Sequence, residues 1–487
     1  MKPTTKKTKP KTKSAPLAEA RPERRAGMVG GPKLTACLLE RKIGRPATAW
    51  TADDLMAVAA ELGVRLVSLM HVGGDGWLKA LDFVPRSREH LRDILLGGER
   101  ADGSSLFAGL GLEVGASDIL LRPRLETAFL DPFAAQPTLA LLCGHAGRDG
   151  KDLPQSPDTI VRQAGRRVAK ELGVELQALG EVEYFLGRRA GEEDSYGAND
   201  RGYHATSPFV FGAALRREAM ALLAEIGVPV KYGHSEVGYV EATEADGVIW
   251  EQHEIELGLA PLATAADAVV LTQWVLRNLA YRQGMRCSFD PILRRGHAGT
   301  GLHFHFSPVR GGKHLGGRGA DGTLGPEARW LIAGLVRMGG ALMAFGNRTE
   351  GSLIRLTQSK EAPNTIVWGE FDRSALVRLP IVATTRDGHA VSPPTIEFRL
   401  PDGSAHPHLL LAGVAQVMVR ARSSKDLEAL LERTSVKALK RGAGAAAPVP
   451  TRFPEVAREL KASRAALEAG GVFPPVLLDR LIERLRA

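Results

Sequence analysis

Five short segments between Glu181 and Arg399 gather carboxylates, imidazoles and guanidiniums at spacings that suit a site for divalent cations and phosphate. They are Glu181-Val-Glu183, His234-Ser-Glu236 with Gln252-His-Glu254, Gly299-Thr-Gly-Leu-His303-Phe-His305, the arginines Arg355, Arg373 and Arg378, and Glu397-Phe-Arg399. The pattern Leu179-Gly-Glu-Val-Glu-Tyr-Phe-Leu186 predicts a strand, in which alternation points Glu181 and Glu183 to one face. Two carboxylates so placed repel unless water, a shared proton or a cation stands between them. The same alternation puts His303 and His305 on one face of Leu302-His-Phe-His-Phe306, and pairs Glu397 with Arg399 on Ile396-Glu-Phe-Arg-Leu400. Each strand is apolar behind and ionic in front. Oxygen ligands with a single imidazole suit Mg2+ or Mn2+ rather than zinc.

Taken singly, these signals are weak. A Glu-x-Glu is usually a solvated edge, a lone histidine a satisfied interior group, and scattered arginines surface ion-pair partners. Gly299-x-Gly301 is no dinucleotide fingerprint, because no βαβ pattern follows it. The ordered set is another matter. Asp102-Gly-Ser-Ser105, Ser117-Asp118, Asp131-Pro-Phe-Ala134, Glu181-x-Glu183, Glu236-Val, Glu254-Ile, Gly299-x-Gly-x-His-x-His305, Glu361-Ala-Pro363, Arg373-Ser, Arg378-x-Pro380 and Glu397-x-Arg-x-Pro-Asp402 follow one another as they do in glutamine synthetases, and over residues 66–487 the chain resembles that family.

The resemblance implies two cation sites for Mg2+ or Mn2+, one of Glu183, Glu236 and Glu254, the other of Glu181, His303 and Glu397. It assigns His305 and Ser307 to the nucleotide, Arg373 and Arg378 to the phosphates of ATP, and Gly299, Arg355 and Arg399 to glutamate, whose carboxylates a planar guanidinium can bind bidentately. Asp102 matches an ammonium-binding aspartate, with Ser105, Tyr203, Glu236 and Glu361 as companions, and Glu361 is expected on a flap that shields an acyl phosphate. The implied reaction is ATP-dependent ligation of ammonia to the γ-carboxylate of L-glutamate. A γ-glutamyl-amine or polyamine ligase would share the same arginines and ligands, and a non-catalytic scaffold would have lost some of them. Two departures stand out: Ala298 replaces an asparagine common in the family, and 17 residues separate Glu236 from Glu254, with the stretch 238–250 carrying Glu241, Glu244 and Asp246.

The elements that must position these groups are legible too. Residues 49–63 read as a helix with Thr51 at its N-cap and Gly63 at its end. Residues 64–70 and 77–84 alternate about a Gly-Gly-Asp-Gly turn and predict a hairpin. Amphipathic helices are expected at 159–171, 213–226, 409–421 and 476–487, and a flexible surface segment at 440–448. The expected fold class is α+β: a basic disordered tail (1–31), a small β-grasp domain (32–148) and a large catalytic domain (149–487) whose antiparallel strands form a half-barrel-like site.

At 487 residues, 44% of them apolar, the chain can fill such cores. Residues 1–25 hold nine Lys or Arg against two Glu, so +7 of the total +9 lies in the tail and the remainder is nearly neutral. The tail has neither aromatics for base stacking nor an amphipathic stripe, so no specific nucleic acid and no membrane is expected as partner. Cys37, Cys143 and Cys287 show no paired spacing, which fits a reducing cytoplasm. The resemblance also implies a homo-oligomer of stacked rings, commonly a dodecamer, with sites shared between neighbouring subunits.

Overall fold

The helix expected near residue 50 spans Ala52–Glu61, and Thr51 closes a reciprocal capping box with Asp54. This computed structural model describes residues 35–108, 112, 117–191, 201–319, 321–358 and 362–487; the basic tail and Glu361 lie outside the described residues. The first sheet is built from β1 (Leu66–Val72), β2 (Leu78–Phe83), β3 (Glu99–Asp102), β4 (Asp118–Pro123), β5 (Phe129–Leu130) and β6 (Thr138–Ala146), in the order β2-β1-β6-β4-β3 with β5 on β6. The expected hairpin β1–β2 forms, with Val72 opposite Leu78.

The second sheet has ten strands: β7 (Glu175–Arg189), β8 (Val230–Val240), β9 (Val248–Leu257), β10 (Ala260–Pro261), β11 (Arg286–Ser288), β12 (Leu302–Arg310) and β13 (Lys313–His314), followed, after β14 (Thr365–Ile366), by β15 (Trp368–Glu370), β16 (Val377–Leu379) and β17 (Ile396–Phe398). Its spine is β15-β16-β17-β12-β7-β9-β8, antiparallel except for β15–β16. The 440–448 segment is not the free loop expected. Val436–Lys440 is helical, and β18 (Ala447–Pro448) pairs with β14, so backbone hydrogen bonding fixes part of a stretch whose small side chains gave no strand signal. The acidic stretch 238–250 lengthens β8 and β9 by three residues each and leaves 241–247, with Glu241, Glu244 and Asp246, between them.

Period-2 alternation also explains how the small sheet is seated. On β6, Leu139, Leu141 and Cys143 face a cluster closed by Leu55, Val58 and Leu95, whereas Ala140 and Leu142 belong to the large core. That core is layered over the second sheet by the helices Pro157–Leu172, Leu262–Arg282, Pro326–Gly346 and Pro407–Arg422. The helix Pro326–Gly346 is long and apolar enough to cross a membrane, yet 83% of its apolar window is buried inside the protein. Gly334 permits its close crossing with Pro407–Arg422, since a Cβ there would lie 2.6 Å from the carbonyl oxygen of Val417.

One buried ion network ties the first sheet to these helices. Arg124, just beyond β4, lies 2.8 Å from Asp267 and 3.4 Å from Asp158, and His408 is 3.0 Å from the other oxygen of Asp267. Burial opposes the charge of Asp267, but Arg124 and His408 outweigh it and hold the carboxyl well below the ordinary range. A carboxyl so depressed contributes stability above its unfolded value, near pH 4, and loses it as pH falls further. Asp267→Asn is therefore expected to cost about 3 kcal/mol at neutral pH by removing the nearer of the two carboxylates that hold the buried Arg124, and to flatten the loss of stability below about pH 4. Urea titrations of both proteins between acid and neutral pH test this; equal stabilities at neutrality would refute it.

Candidate active site

Strand register converts separated motifs into three ranks across the second sheet. Arg378, Glu397 and His305 stand side by side on β16, β17 and β12. In the next rank His303 faces Glu181, which faces Glu256, which faces Tyr232, on β12, β7, β9 and β8. The third holds Glu183, Glu254 and His234. Residues two apart on a strand share a face, so all three ranks present their ionisable groups on one side.

The contacts within the ranks are short. Glu181 accepts hydrogen bonds from His303 Nδ1 at 2.9 Å and His305 Nε2 at 2.8 Å. His303 Nδ1 also lies 3.6 Å from Glu397 Oε1, and Arg378 pairs with Glu397 Oε2. Glu183 accepts from Gln252 Nε2 at 2.9 Å and from the backbone N–H of Gly301 at 2.7 Å. His234 Nε2 is 3.3 Å from Glu254 and its Nδ1 3.6 Å from Glu236.

Three groups of side chains bring ligand atoms within 4.8 Å of one another: Glu181 with His305 and Glu397, His234 with Glu236 and Glu254, and Glu181 with Glu254 and Glu256. Of the two trios the sequence suggests, Glu181 and Glu397 converge with His305 beside His303, while Glu236 and Glu254 converge with His234 and Glu183 turns toward Gln252 and Gly301. These groups fit a divalent cation on two counts. Burial and the charges of Glu181, Glu183, Glu236 and Glu256 push the Glu254 carboxyl well above its ordinary value, and a cation is what would let so many carboxylates ionise together. Among the described residues, Glu256 Oε2 and Glu397 Oε1 are buried and accept no hydrogen bond, although Lys231 pairs with the other oxygen of Glu256 and Arg399 lies 3.2 Å from Glu397 Oε1. Burial opposes the charge on Glu181 as well, but His305 and His303 hold its carboxyl well below the ordinary range.

Arginines close one end of the site. Arg355, on the helix Glu350–Gln358, is buried, donates to the carbonyl of Leu400 at 3.0 Å and lies 3.4 Å from His303 Nε2. Burial lowers its pKa, while Asp402 and Glu183 favour its charge. Arg399 lies 3.2 Å from Glu397 and donates to the carbonyl of Arg373. Arg373 is exposed and hydrogen-bonds Tyr203. Ser307 is buried, with its hydroxyl on the carbonyl of Pro394 and on His314.

Gly301, rather than the Gly299 singled out from the sequence, sits where these groups meet. A Cβ on it would lie 2.8 Å from His303, 2.9 Å from Glu183 and 3.1 Å from Arg355, whereas one on Gly299 would meet Arg355 and the carbonyl of Pro291. Glu256 and His234 are the other residues that motif matching passed over as ligands. Extending the alternation of Gln252 and Glu254 by one step finds Glu256, and the cross-strand neighbour of Glu254 is His234.

Asp102 stands apart, at the end of β3. Ser104 and Ser105 hydroxyls donate to it at 2.7 and 2.6 Å, and with the Ser104 N–H they hold its carboxyl far below the usual range. Among the described residues, the hydrogen bonds of Asp102 and Ser105 stay within that turn and its immediate neighbours.

Fold and site together describe a protein whose clustered carboxylates and imidazoles fit divalent cations, with guanidiniums beside them. The catalytic-domain model of glutamine synthetase matches residues 154–484, more than half of the chain, and the chain belongs to the glutamine synthetase family. It is 28% identical to a glutamine synthetase of Azospirillum brasilense over 426 residues, covering 80% of this chain and 86% of that one. It is 29% identical to a 3-hydroxylaminophenol mutase of Cupriavidus pinatubonensis over 479 residues, covering 89% and 95%. In fold it is similar to the glutamine synthetase of Plasmodium falciparum, with a TM-score of 0.74 at 19% identity over 90% of this chain and 95% of that one. It is similar also to GmaS without ligand, with a TM-score of 0.71 at 22% identity over 89% and 94%. The fold is α+β, with a curled half-barrel sheet surrounded by helices.

Proposed function

We propose that the chain is a glutamate–ammonia ligase, which uses ATP to join ammonia to the γ-carboxylate of L-glutamate and releases glutamine, ADP and phosphate. The observation that carries this is the three-rank array, in which buried carboxylates converge within 4.8 Å beside Arg355 and Arg378. In the first step a γ-carboxylate oxygen attacks the γ-phosphorus of ATP, the β,γ-bridging P–O bond breaks, and ADP leaves γ-glutamyl phosphate. Positioning and charge neutralisation supply most of the catalysis in such a transfer. Arg355 and Arg399 hold the glutamate carboxylates, Arg373 and Arg378 the phosphates, and His305 and Ser307 the nucleotide. Glu181, Glu183, Glu236, Glu254, His303 and Glu397 would hold divalent cations, Mg2+ or Mn2+, which when bound would supply charge neutralisation at the phosphates. In the second step the ammonia nitrogen attacks the acyl carbon, the C–O bond to phosphate breaks, and the surplus proton passes to a carboxylate. Asp102 deprotonates ammonium and Glu361 takes the final proton.

The same reading makes the enzyme a cytoplasmic homo-oligomer of stacked rings, with a small domain (32–148) completing the site of a neighbouring large domain (149–487). Among the described residues the side-chain hydrogen bonds of Asp102 and Ser105 reach none of the large sheet's ionisable groups, which supports this, as do the three free cysteines.

A second reading, γ-glutamyl transfer to an organic amine or polyamine, is favoured by one feature. Tyr203 and Tyr232, 46% and 44% exposed, stand with His204 around His234 and beside Glu236, so an ammonium group on a carbon body would find both carboxylates and ring faces. Purified protein given ATP, Mg2+ and glutamate, with ammonium or a panel of mono- and polyamines, decides between the two when phosphate is counted and the amide is weighed by mass. Ammonium-dependent glutamine supports the first reading; turnover with organic amines alone supports the second. Conversion of 3-hydroxylaminophenol without ATP, or no turnover with any acceptor, refutes both.

A further inference from the structure

We propose that His234 is itself a ligand of the cation held by Glu236 and Glu254, and that its imidazole gives this position a preference for Mn2+ over Mg2+. The proposal rests on the reading of these carboxylates as cation ligands and adds a residue that the motifs do not assign.

The backbone aims His234 at this place. It lies directly opposite Glu254, and the β8–β9 register then breaks between Ser235 and Tyr239, so Glu236 sits at the start of an irregular stretch. Bulges of this kind re-aim side chains beside active sites. Among the described residues, the imidazole's hydrogen bond joins Nδ1 to the carbonyl of Ser235 at 3.1 Å, and that oxygen can only accept. Nδ1 is thus engaged by the backbone, and Nε2 faces Glu254 Oε1 at 3.3 Å in a cluster where ligand atoms of His234, Glu236 and Glu254 all lie within 4.8 Å of one another. Two acceptor atoms so close need a proton or a cation between them, and a cation can serve Glu236 as well. A backbone carbonyl on one ring nitrogen with the other left open is how metal-bound histidines are oriented.

Distances and packing agree. Two ligands each about 2.1 Å from one ion can be as much as about 4.2 Å apart, and the 3.3 Å separation lies within that span. The ring is held in place by others: Tyr203 lies edge-on at 5.4 Å between centroids, His204 is tilted at 4.6 Å and Tyr232 is stacked at 6.0 Å. His204 reaches its place from a left-handed backbone, with φ of 58°. Mg2+ prefers oxygen ligands throughout, whereas Mn2+ accepts imidazole more readily, so a nitrogen here should discriminate between them.

The test is metal binding by the full chain without nucleotide, with free Mn2+ followed by its paramagnetic resonance and Mg2+ by calorimetry. His234→Gln keeps the volume and His234→Ala removes the ring; thermal melts show whether either variant remains folded. Both are expected to weaken one class of Mn2+ site by at least about 10-fold, leaving Mg2+ binding nearly unchanged. Equal losses for both metals would mean that His234 only packs the site, and no loss for either would remove it from the ligand set. Either result overturns the proposal. Failure of the unmodified chain to bind either metal would instead refute the cation reading itself, and is seen before any variant is made.

Discussion

Replacing Glu181 by glutamine is expected to reduce ATP-dependent phosphate release about 1,000-fold or more. Glu181 and Glu254 each belong to two of the three ligand groups, and Glu181 also accepts hydrogen bonds from both His303 and His305, so it is a corner that two groups share. Removing its charge gives up several kcal/mol of neutralisation at the transferring phosphoryl group, and ~4 kcal/mol corresponds to about three powers of ten. Glu254→Gln makes an instructive contrast. The Glu254 carboxyl is raised in the fold by burial and by its neighbours, so in metal-free protein it contributes least to stability once pH exceeds its folded value. Activity should collapse in Glu254→Gln while the metal-free protein at neutral pH melts no lower than the parent. A Glu181→Gln enzyme retaining more than a tenth of parental turnover would refute the shared-corner role.

The second large effect is expected from Arg355→Lys. The guanidinium is buried, anchored at 3.0 Å to the Leu400 carbonyl, and reaches past Gly301 toward His303. A lysine can serve one of these directions at a time, whereas on the proposed function the planar fork would serve the anchor and a substrate carboxylate together. Loss of one partner of a buried charge-assisted contact costs about 2–5 kcal/mol, so kcat/KM for glutamate should fall about 100-fold or more, mostly through KM. Nucleotide affinity, measured separately, should not change. An unaltered KM for glutamate would show that Arg355 holds the sheet and not the substrate.

Alternation along single strands carried much of this site into view before any fold was known. Glu181 with Glu183, His303 with His305, and Glu397 with Arg399 each lie two residues apart, and that spacing dictates a common face whatever the partner strand. The capping box at Thr51 and the hairpin turn before Trp77 were likewise local, because their hydrogen bonds close over a few residues. The segment 440–448 went the other way. Its pairing with β14 depends on a strand more than 75 residues earlier, which its own composition does not announce.

What the sequence determined by itself was the chemistry available: which groups exist, which share a strand face, and the order of motifs that marks the family. The tertiary structure decided which faces meet. The register of β9 between β7 and β8 sets Glu256 against Glu181 and His234 against Glu254, and the loop before β12 puts Gly301 between Glu183, His303 and Arg355. Those neighbours lie up to 172 positions apart in the chain. A shift of one residue in any of these pairings would turn the carboxylates to the opposite face, so the site depends on long-range register that no local pattern encodes.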